Sequence, residues 1–438
     1  MKETKNSLLD RIYNFLNEEE GERICTDITE EACEKTPKNY FLQMGSSIFT
    51  KLGDTLSNPK TVLAWLMTYV NAPVYLISFI VPIRESGSML PQIIIANIVR
   101  NLKIRKWVWV LGSVLQFASM LAIGMVALNF TGVQAGWLII LFIVTFSLSR
   151  GLCSVTSKDV LGKTIPKTRR GKLKGYTVSV SGVLVLLAGL YMIYKSNKDT
   201  GIEFYSYVIF FAGALWLIAA IIYASIKEFP GAAASDDSGW KESFKKLNLV
   251  RTDKHFRDFI ISRSLLLCSA LTAPFYIVLA QNYLGTESYI LGLFIIANGI
   301  ASIISAPIWG RMADVASNKV MVRAALLTAI IGVVMFVILI GFPDLRTQIW
   351  LYPVAFFLLG IAHSGVRLGR KTYIVDMAKG NQRTDYVSVS NTLIGFILLI
   401  TGGISALASL ISTEGIILVL SLFGFAGAYT SYHLPDVE

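Results

Sequence analysis

The sequence predicts an all-α membrane protein with twelve transmembrane helices arranged as two pseudo-symmetric six-helix halves. Three observations carry that prediction. Of the 438 residues, 54% are hydrophobic and only 16% are charged, whereas a soluble domain carries about 25% charged residues to cover its surface. The apolar residues gather in runs, most of them near the roughly 20 residues that a helix needs to cross the hydrocarbon core. The basic residues lie between those runs, nearly all on one side. The abundance of aromatic and branched apolar residues also excludes a disordered chain.

Residues 1–57 precede the first run and read as an extension. Leu8, Leu9, Ile12, Tyr13 and Leu16 fall at helical spacing. Tyr40, Phe41, Met44, Ile48 and Leu52 repeat the pattern after Pro37, a residue suited to the first turn of a helix. Both stretches read as amphipathic helices on the membrane surface or beneath the bundle, with a regulatory segment as the alternative. Six runs follow, at about 61–83, 87–100, 107–129, 134–157, 175–194 and 204–226. The second is short for a full crossing, and Arg84-Glu85 reads as the outer break before it. The first bundle is therefore expected over 58–226.

A central loop over 227–257 comes next. Its stretch from Gly231 to Gly239 reads as a flexible linker. Trp240, Phe244, Leu247 and Leu249, mixed with lysines, read as a surface helix. The second bundle, 258–438, holds runs at about 258–282, 288–310, 320–341, 349–371, 386–410 and 414–434.

Orientation follows from the basic residues. Of the 40 Lys and Arg residues, only Arg84, Lys195, Lys198 and Arg346 fall in loops on the outer side, and Arg150 and Arg263 fall inside spans. The remainder occupy the N-terminal segment and the loops after even-numbered spans. Cytoplasmic loops of membrane proteins carry such an excess, so both termini are expected in the cytoplasm, beneath a plasma or inner membrane. The net charge of +11 then marks the face beside anionic lipid, and no nucleic-acid partner is expected.

Four cysteines (Cys25, Cys33, Cys153, Cys268) and three histidines (His255, His363, His433) make no metal pattern, and the thiols are expected free and reduced. No early apolar stretch marks a secretory signal. The sequence holds neither an ATP-binding GxxxxGK[ST] loop nor a recognisable nucleophile–base set. That argues against a pump with its own motor and against an enzyme, and no cofactor is expected.

Short segments recur between the halves. Ala72-Pro73-Val74-Tyr75-Leu76-Ile77 matches Ala273-Pro274-Phe275-Tyr276-Ile277-Val278. Val178-Ser179-Val180-Ser181 matches Val387-Ser388-Val389-Ser390. Ile94-Ile95-Ala96-Asn97 matches Ile295-Ile296-Ala297-Asn298. A parallel six-span repeat places a substrate site between the halves, near the midplane.

The loop after the eighth span reads Gly310-Arg311-Met312-Ala313-Asp314-Val315-Ala316-Ser317-Asn318-Lys319. With the twelve-span repeat and the loop charges, this G-x-x-x-D-x-x-x-x-K/R pattern resembles the major facilitator superfamily over residues 58–436. The first-half counterpart keeps only its basic end, Arg100, Lys103, Arg105 and Lys106. The resemblance implies a secondary transporter whose halves rock about a central site, without assigning a subfamily. Its partners would be a small organic solute, protons and the bilayer, and a monomer is expected. It also implies that Gly310, Asp314 and Lys319 work in gating. Asp159 and Arg100, at inner helix ends, are expected to join them, with Asp376 in a similar role.

An ionised side chain inside hydrocarbon costs about 2.5–3.5 kcal/mol on insertion scales and so faces a cavity or a partner. Arg150 in the fourth span is the first candidate for substrate or coupling work, since the superfamily often carries an arginine on this helix. Arg263 reads as a residue that snorkels to the inner interface. Glu85, beside Arg84 at the outer mouth, is a candidate for proton exchange. His363, the approximate repeat counterpart of Arg150, titrates near neutrality and suits proton coupling. Tyr69, Asn71, Tyr75, Tyr276, Gln281, Asn298 and Asn391 are polar cavity candidates, each also explained by hydrogen bonding between helices. Two other functions remain open: a lipid flippase on the same fold, and a sensor or scaffold that works through 1–56 and 227–257.

Overall fold

The computed structural model describes residues 8–17, 28–195, 201–231, 246–313, 315–377 and 382–437, without the side chains at 93, 97, 100, 246 and 382–385. Trp240, Phe244 and Asp314 therefore lie outside the described residues, as do Cys25, Lys198 and the Arg100 side chain. No strand occurs among the described residues.

The first half holds α1 (Leu8–Asn17), α2 (Glu30–Glu34), α3 (Thr36–Leu56), α4 (Val62–Tyr69), α5 (Val74–Met89), α6 (Gln92–Arg100), α7 (Lys106–Asn129), α8 (Gly132–Thr164), α9 (Lys167–Lys195) and α10 (Ile202–Ala224). A 3₁₀ turn at Lys246–Asn248 leads into the second half. It holds α11 (Leu249–Thr252), α12 (Lys254–Leu265), α13 (Cys268–Leu271), α14 (Ala273–Leu284), α15 (Ser288–Ala313), α16 (Ser317–Gly341), α17 (Pro343–Arg346), α18 (Leu351–Met377), α19 (Gln382–Ser409) and α20 (Thr413–Tyr432).

The two halves repeat one packing scheme. In the first, α7 lies along α8 and α10 while α5 packs on α8; in the second, α16 lies along α18 and α20 while α15 packs on α18. Across the junction α5 runs against α19 and α9 against α15. Small residues permit these crossings. A Cβ on Gly402 would come within 2.5 Å of Pro82, and one on Gly292 within 2.9 Å of the Gly189 carbonyl. The outward faces carry exposed Leu141, Leu187, Ile221, Val337, Ile400 and Leu422. An apolar shell of that extent belongs against lipid tails rather than water.

The twelve-helix, two-half architecture is as predicted, but the first two crossings are not. Among the described residues, ten helical stretches are long and apolar enough to cross a membrane singly, starting at Lys106–Asn129. The first two crossings of the first half are each broken into shorter or more polar pieces. The chain turns at 70–73, where Asn71 takes a left-handed φ of 59°. The run read as 61–83 is thus the end of one crossing and the start of the next. The first crossing is α3 with α4, and the second is α5 with α6. Helix α3, expected on the membrane surface or beneath the bundle, packs along α10 and α9. Gly53 sits there against Trp216 and the Ala212 carbonyl. It escaped a hydropathy reading because its buried face is polar, with Thr36, Asn39, Gln43 and Ser46 all buried.

The break between α3 and α4 follows from Pro59. Proline supplies no N–H, and it disfavours helical backbone at the residue before it. The helix ends at Leu56 and resumes at Val62, freeing carbonyls in the bundle interior. The corresponding stretch of the second half is also interrupted, at 266–267 and again just before Pro274.

The corrected crossings also correct the repeat. Ala72–Ile77 lies at the turn over 70–73 and on α5, whereas Ala273–Val278 lies within α14, so these similar segments are not structural equivalents. The Ile94 and Ile295 segments likewise differ in place: the first lies in the last third of the crossing formed by α5 and α6, the second in the first half of α15. The Val178 and Val387 segments do fall on equivalent helices, α9 and α19.

At the basic end, the segment after α10 is ordered by one acid. The buried Glu228 carboxylate accepts from the Arg105 and Lys106 backbone N–H groups (2.9 and 2.7 Å) and from Lys163 (2.8 Å). Arg105 also pairs with Asp159 at 3.0 Å. Cys153 and Cys268 are free and buried. Cys33, expected as a free thiol, is disulfide-bonded.

Candidate functional site

Where α3 breaks, a group of charged side chains lies midway along the bundle. Asp54, in the last turn of α3, accepts from two arginines through one carboxylate oxygen. Arg84 of α5 donates at 2.9 Å, and Arg150 of α8 donates to the same oxygen. The two arginines differ in setting. The Arg84 side chain is 4% exposed, donates to the Ser57 carbonyl at 3.0 Å and stacks over Phe146 at 4.2 Å. It caps a carbonyl that the helix break leaves without a backbone partner. The Arg150 side chain is 38% exposed.

Arg84 and Glu85 therefore do not form an outer loop. Both lie within α5, one helix turn past Ile80, and Arg84 is buried. The sequence reading misplaced them because it ran the first span through the turn at 70–73. Glu85 lies within electrostatic reach of Arg84, Arg150, Lys60 and Arg367.

One contact in this group joins the halves. Lys60, in the break of the first crossing, lies 2.8 Å from His363 Nε2 on α18. The other ring nitrogen, Nδ1, lies 3.1 Å from the Ser269 hydroxyl on α13. Ser269 in turn donates to the Leu266 carbonyl at 3.1 Å, across the interruption between α12 and α13. An ammonium group only donates. With Lys60 charged, His363 is neutral, accepts at Nε2 and carries its proton at Nδ1. A charged imidazolium would donate from both nitrogens and would require an uncharged Lys60. The pair thus holds one proton in the contact, with two ways of placing it. Arg150 and His363 stand equally far back from the ends of their helices at Thr164 and Met377, so the repeat sets them opposite each other.

The second half contributes a basic wall. Arg263 of α12 does not snorkel to the interface. It is 6% exposed and donates to the Ser390 hydroxyl (2.5 Å) and to Asn391 Oδ1 (2.9 Å) on α19. Arg370 follows His363 along one face of α18 and lies within electrostatic reach of Arg367, Glu85 and Arg263. The Nε groups of Arg263 and Arg370 are buried without a hydrogen-bond partner. Toward the basic end, Arg367 and Lys371 of α18 are exposed.

At the opposite end the halves are joined by three hydrogen bonds. Gln281 Nε2 donates to the Trp65 carbonyl (3.1 Å), Tyr205 to the Thr286 carbonyl (2.5 Å) and Ser288 to the Met192 carbonyl (3.2 Å). The far end is closed, and the charged group reaches solvent toward the basic end.

The other candidates divide. Asn391 belongs to the site as the orienting partner of Arg263. Tyr276 is fully buried on α14 with its hydroxyl unpartnered, and Gln281 closes the far end. Tyr69 packs at a tilt against Tyr205 (5.0 Å between centroids), Tyr75 is half-buried on α5, and Asn71 is exposed at the turn. Asn298 faces Gly360 on α18. Gly310 has open space around it, Lys319 is exposed at the start of α16, and Asp376 lies near the basic end of α18.

Sequence reading missed Asp54, Lys60, Ser269, Arg367, Arg370 and Ser390. Two signals pointed to some of them. Pro59 marks a helix break flanked by Asp54 and Lys60. His363, Arg367 and Arg370 recur at helical spacing, which lines them along one face.

The chain belongs to the Major Facilitator Superfamily, whose family model matches residues 44–394 and again 264–437. Solved structures share its fold at low identity. A D-xylose–proton symporter aligns with a TM-score of 0.65 at 14% identity, covering 91% of this chain and 98% of that one. A nucleoside transporter aligns at 0.61 and 12% identity, covering 90% and 98%. A POT family transporter in complex with 5-aminolevulinic acid aligns at 0.67 and 11%, covering 89% and 94%. No curated protein matches the chain in sequence.

Proposed function

We propose that this multi-pass membrane protein is a secondary transporter that carries a small organic solute through the central site by alternating access, coupled to protons. It would sit in the plasma or inner membrane with both termini cytoplasmic, as the basic loops indicate. The observation that carries the reading is the Lys60–His363 contact at 2.8 Å. It ties the helix break of the first half to α18 of the second, and its geometry depends on where one proton sits. Adding a proton places two cations in contact, with Arg367, Arg370 and the acid Glu85 within electrostatic reach. The tie then loosens and the halves separate at the far end. The solved D-xylose–proton symporter supports proton coupling as a reading.

Flux of a panel of labelled organic solutes into proteoliposomes, driven by an imposed pH gradient, tests it. At least one solute should move. His363→Gln and Lys60→Met should each uncouple its flux from the gradient, and His363→Gln should leave solute binding in place. Wild-type pH dependence in both variants would exclude the pair as the coupling element.

A flippase is the second reading, and one feature favours it. A groove of about 540 Å³ opens sideways between α6, α7 and α8, lined by Ile95, Leu115, Phe142, Leu148 and Leu152. Translocation of labelled lipid by the same proteoliposomes, with no solute flux, would select it.

A further inference from the structure

The charges around the central site do not balance, and most of the excess positive charge lies in the second half. On the first-half side, Asp54 pairs with Arg84 and Arg150, and Glu85 answers Lys60. On the second-half side, Arg263, Arg367, Arg370 and Lys371 have no carboxylate in ion-pair contact among the described residues. Exposure lets Arg367 and Lys371 keep water. Arg263 and Arg370 are different, because each holds a buried Nε–H with no acceptor. For Arg263, which is 6% exposed, a buried guanidinium with no carboxylate in contact is costly, and in both arginines a buried donor without a partner adds to the cost. The Arg263 guanidinium is also held in place, since Ser390 and Asn391 of α19 take two of its other donors. A fixed fork of N–H groups matches the paired oxygens of a phosphate or carboxylate.

We propose that the central site takes an organic anion, a phosphate monoester or a dicarboxylate, with its anionic group on Arg263 and Arg370. Lys60, in contact with His363 across the junction, would meet the remainder of the solute. Ser390 and Asn391 are positioning residues that aim Arg263. The same wall repels organic cations, and a neutral solute leaves both buried donors unanswered. This inference names the solute class for the transport site proposed above and rests on that reading only for translocation, not for binding.

The test is ligand-induced thermal stabilisation of the purified full chain. The probes are a set of phosphate monoesters, a set of dicarboxylates, matched neutral alcohols and organic amines. At least one anion should raise the melting temperature saturably, while its neutral and cationic counterparts do not. Which anionic set responds separates phosphate from dicarboxylate. Arg263→Gln and Arg370→Gln should each weaken the apparent affinity at least tenfold, and Arg263→Lys should recover part of it. Arg323→Gln, on the exposed face of α16, should match wild type. Melting without ligand establishes that each variant is folded. Stabilisation by neutral or cationic compounds alone, by no compound, or by an anion that binds both Gln variants as tightly as wild type would overturn the proposal. Anion binding without flux in proteoliposomes would refute transport and leave the anion site standing.

Discussion

Two arginines share one carboxylate oxygen of Asp54, yet their surroundings assign them different work. Arg84 is buried, capped on a backbone carbonyl and stacked on Phe146; Arg150 keeps more than a third of its side chain exposed. Removing one partner of a buried ion pair costs about 3–5 kcal/mol, much of it from the charge left behind. Arg84→Gln should therefore reduce stability by about 2–4 kcal/mol in denaturant unfolding. Arg150→Gln should reduce it by about 1 kcal/mol or less, because solvent screens the exposed partner, while abolishing flux. Equal losses of stability would remove this division of labour. Of the two arginines, only Arg150 stood out in the sequence as intramembrane. Arg84 was visible but misplaced, and Asp54, which defines both, was hidden in a segment too polar to read as a span.

The broken first crossing belongs to the scale of elements. Asn58-Pro59 ends α3 inside the bundle, and the freed Ser57 carbonyl becomes an acceptor for Arg84. Pro59→Ala restores an N–H and permits a continuous helix over 36–69. It should hold or raise the melting temperature and lower the transport rate at least tenfold, because Lys60 would turn away from His363. Unchanged flux would show that the break is incidental. A second joint lies at the basic end. Asp253 caps α12 through the Phe256 N–H (3.1 Å) and accepts from Tyr386 of α19 (2.5 Å). Burial pushes the Asp253 carboxyl up, but the Tyr386 hydroxyl and the cap N–H groups outweigh it and hold the carboxyl below its ordinary value of 3.8. A depressed pKa means the native state favours the ionised form, so this stability is present at neutral pH and lost as pH falls through the lowered value. Melting curves should show Asp253→Asn less stable than wild type at neutral pH, with the difference closing in acid. The ten apolar crossings were legible because their outward faces must meet lipid. The other two were not, since α3 buries polar residues against its neighbours and α5 carries charges inward. Hydropathy reports the lipid face of a helix and is blind to a polar face turned into the bundle.

For the whole molecule, the two halves touch along α5–α19 and α9–α15 through small residues, close at the far end through three hydrogen bonds, and meet in the middle at Lys60–His363. Most of the charges sit toward the basic end. That distribution describes one state of a two-state device, with the far end shut. The central claim is that the halves rock about the charged site, and paired spin labels measure it directly. One pair goes at Asn129 and Glu287, exposed at the far ends of opposite halves, and one at Lys174 and Lys319, exposed toward the basic end. On acidification, the account predicts that the distance between the first pair lengthens while that between the second shortens, and that His363→Gln blunts both changes. Distances that stay fixed, or that lengthen together, would contradict it.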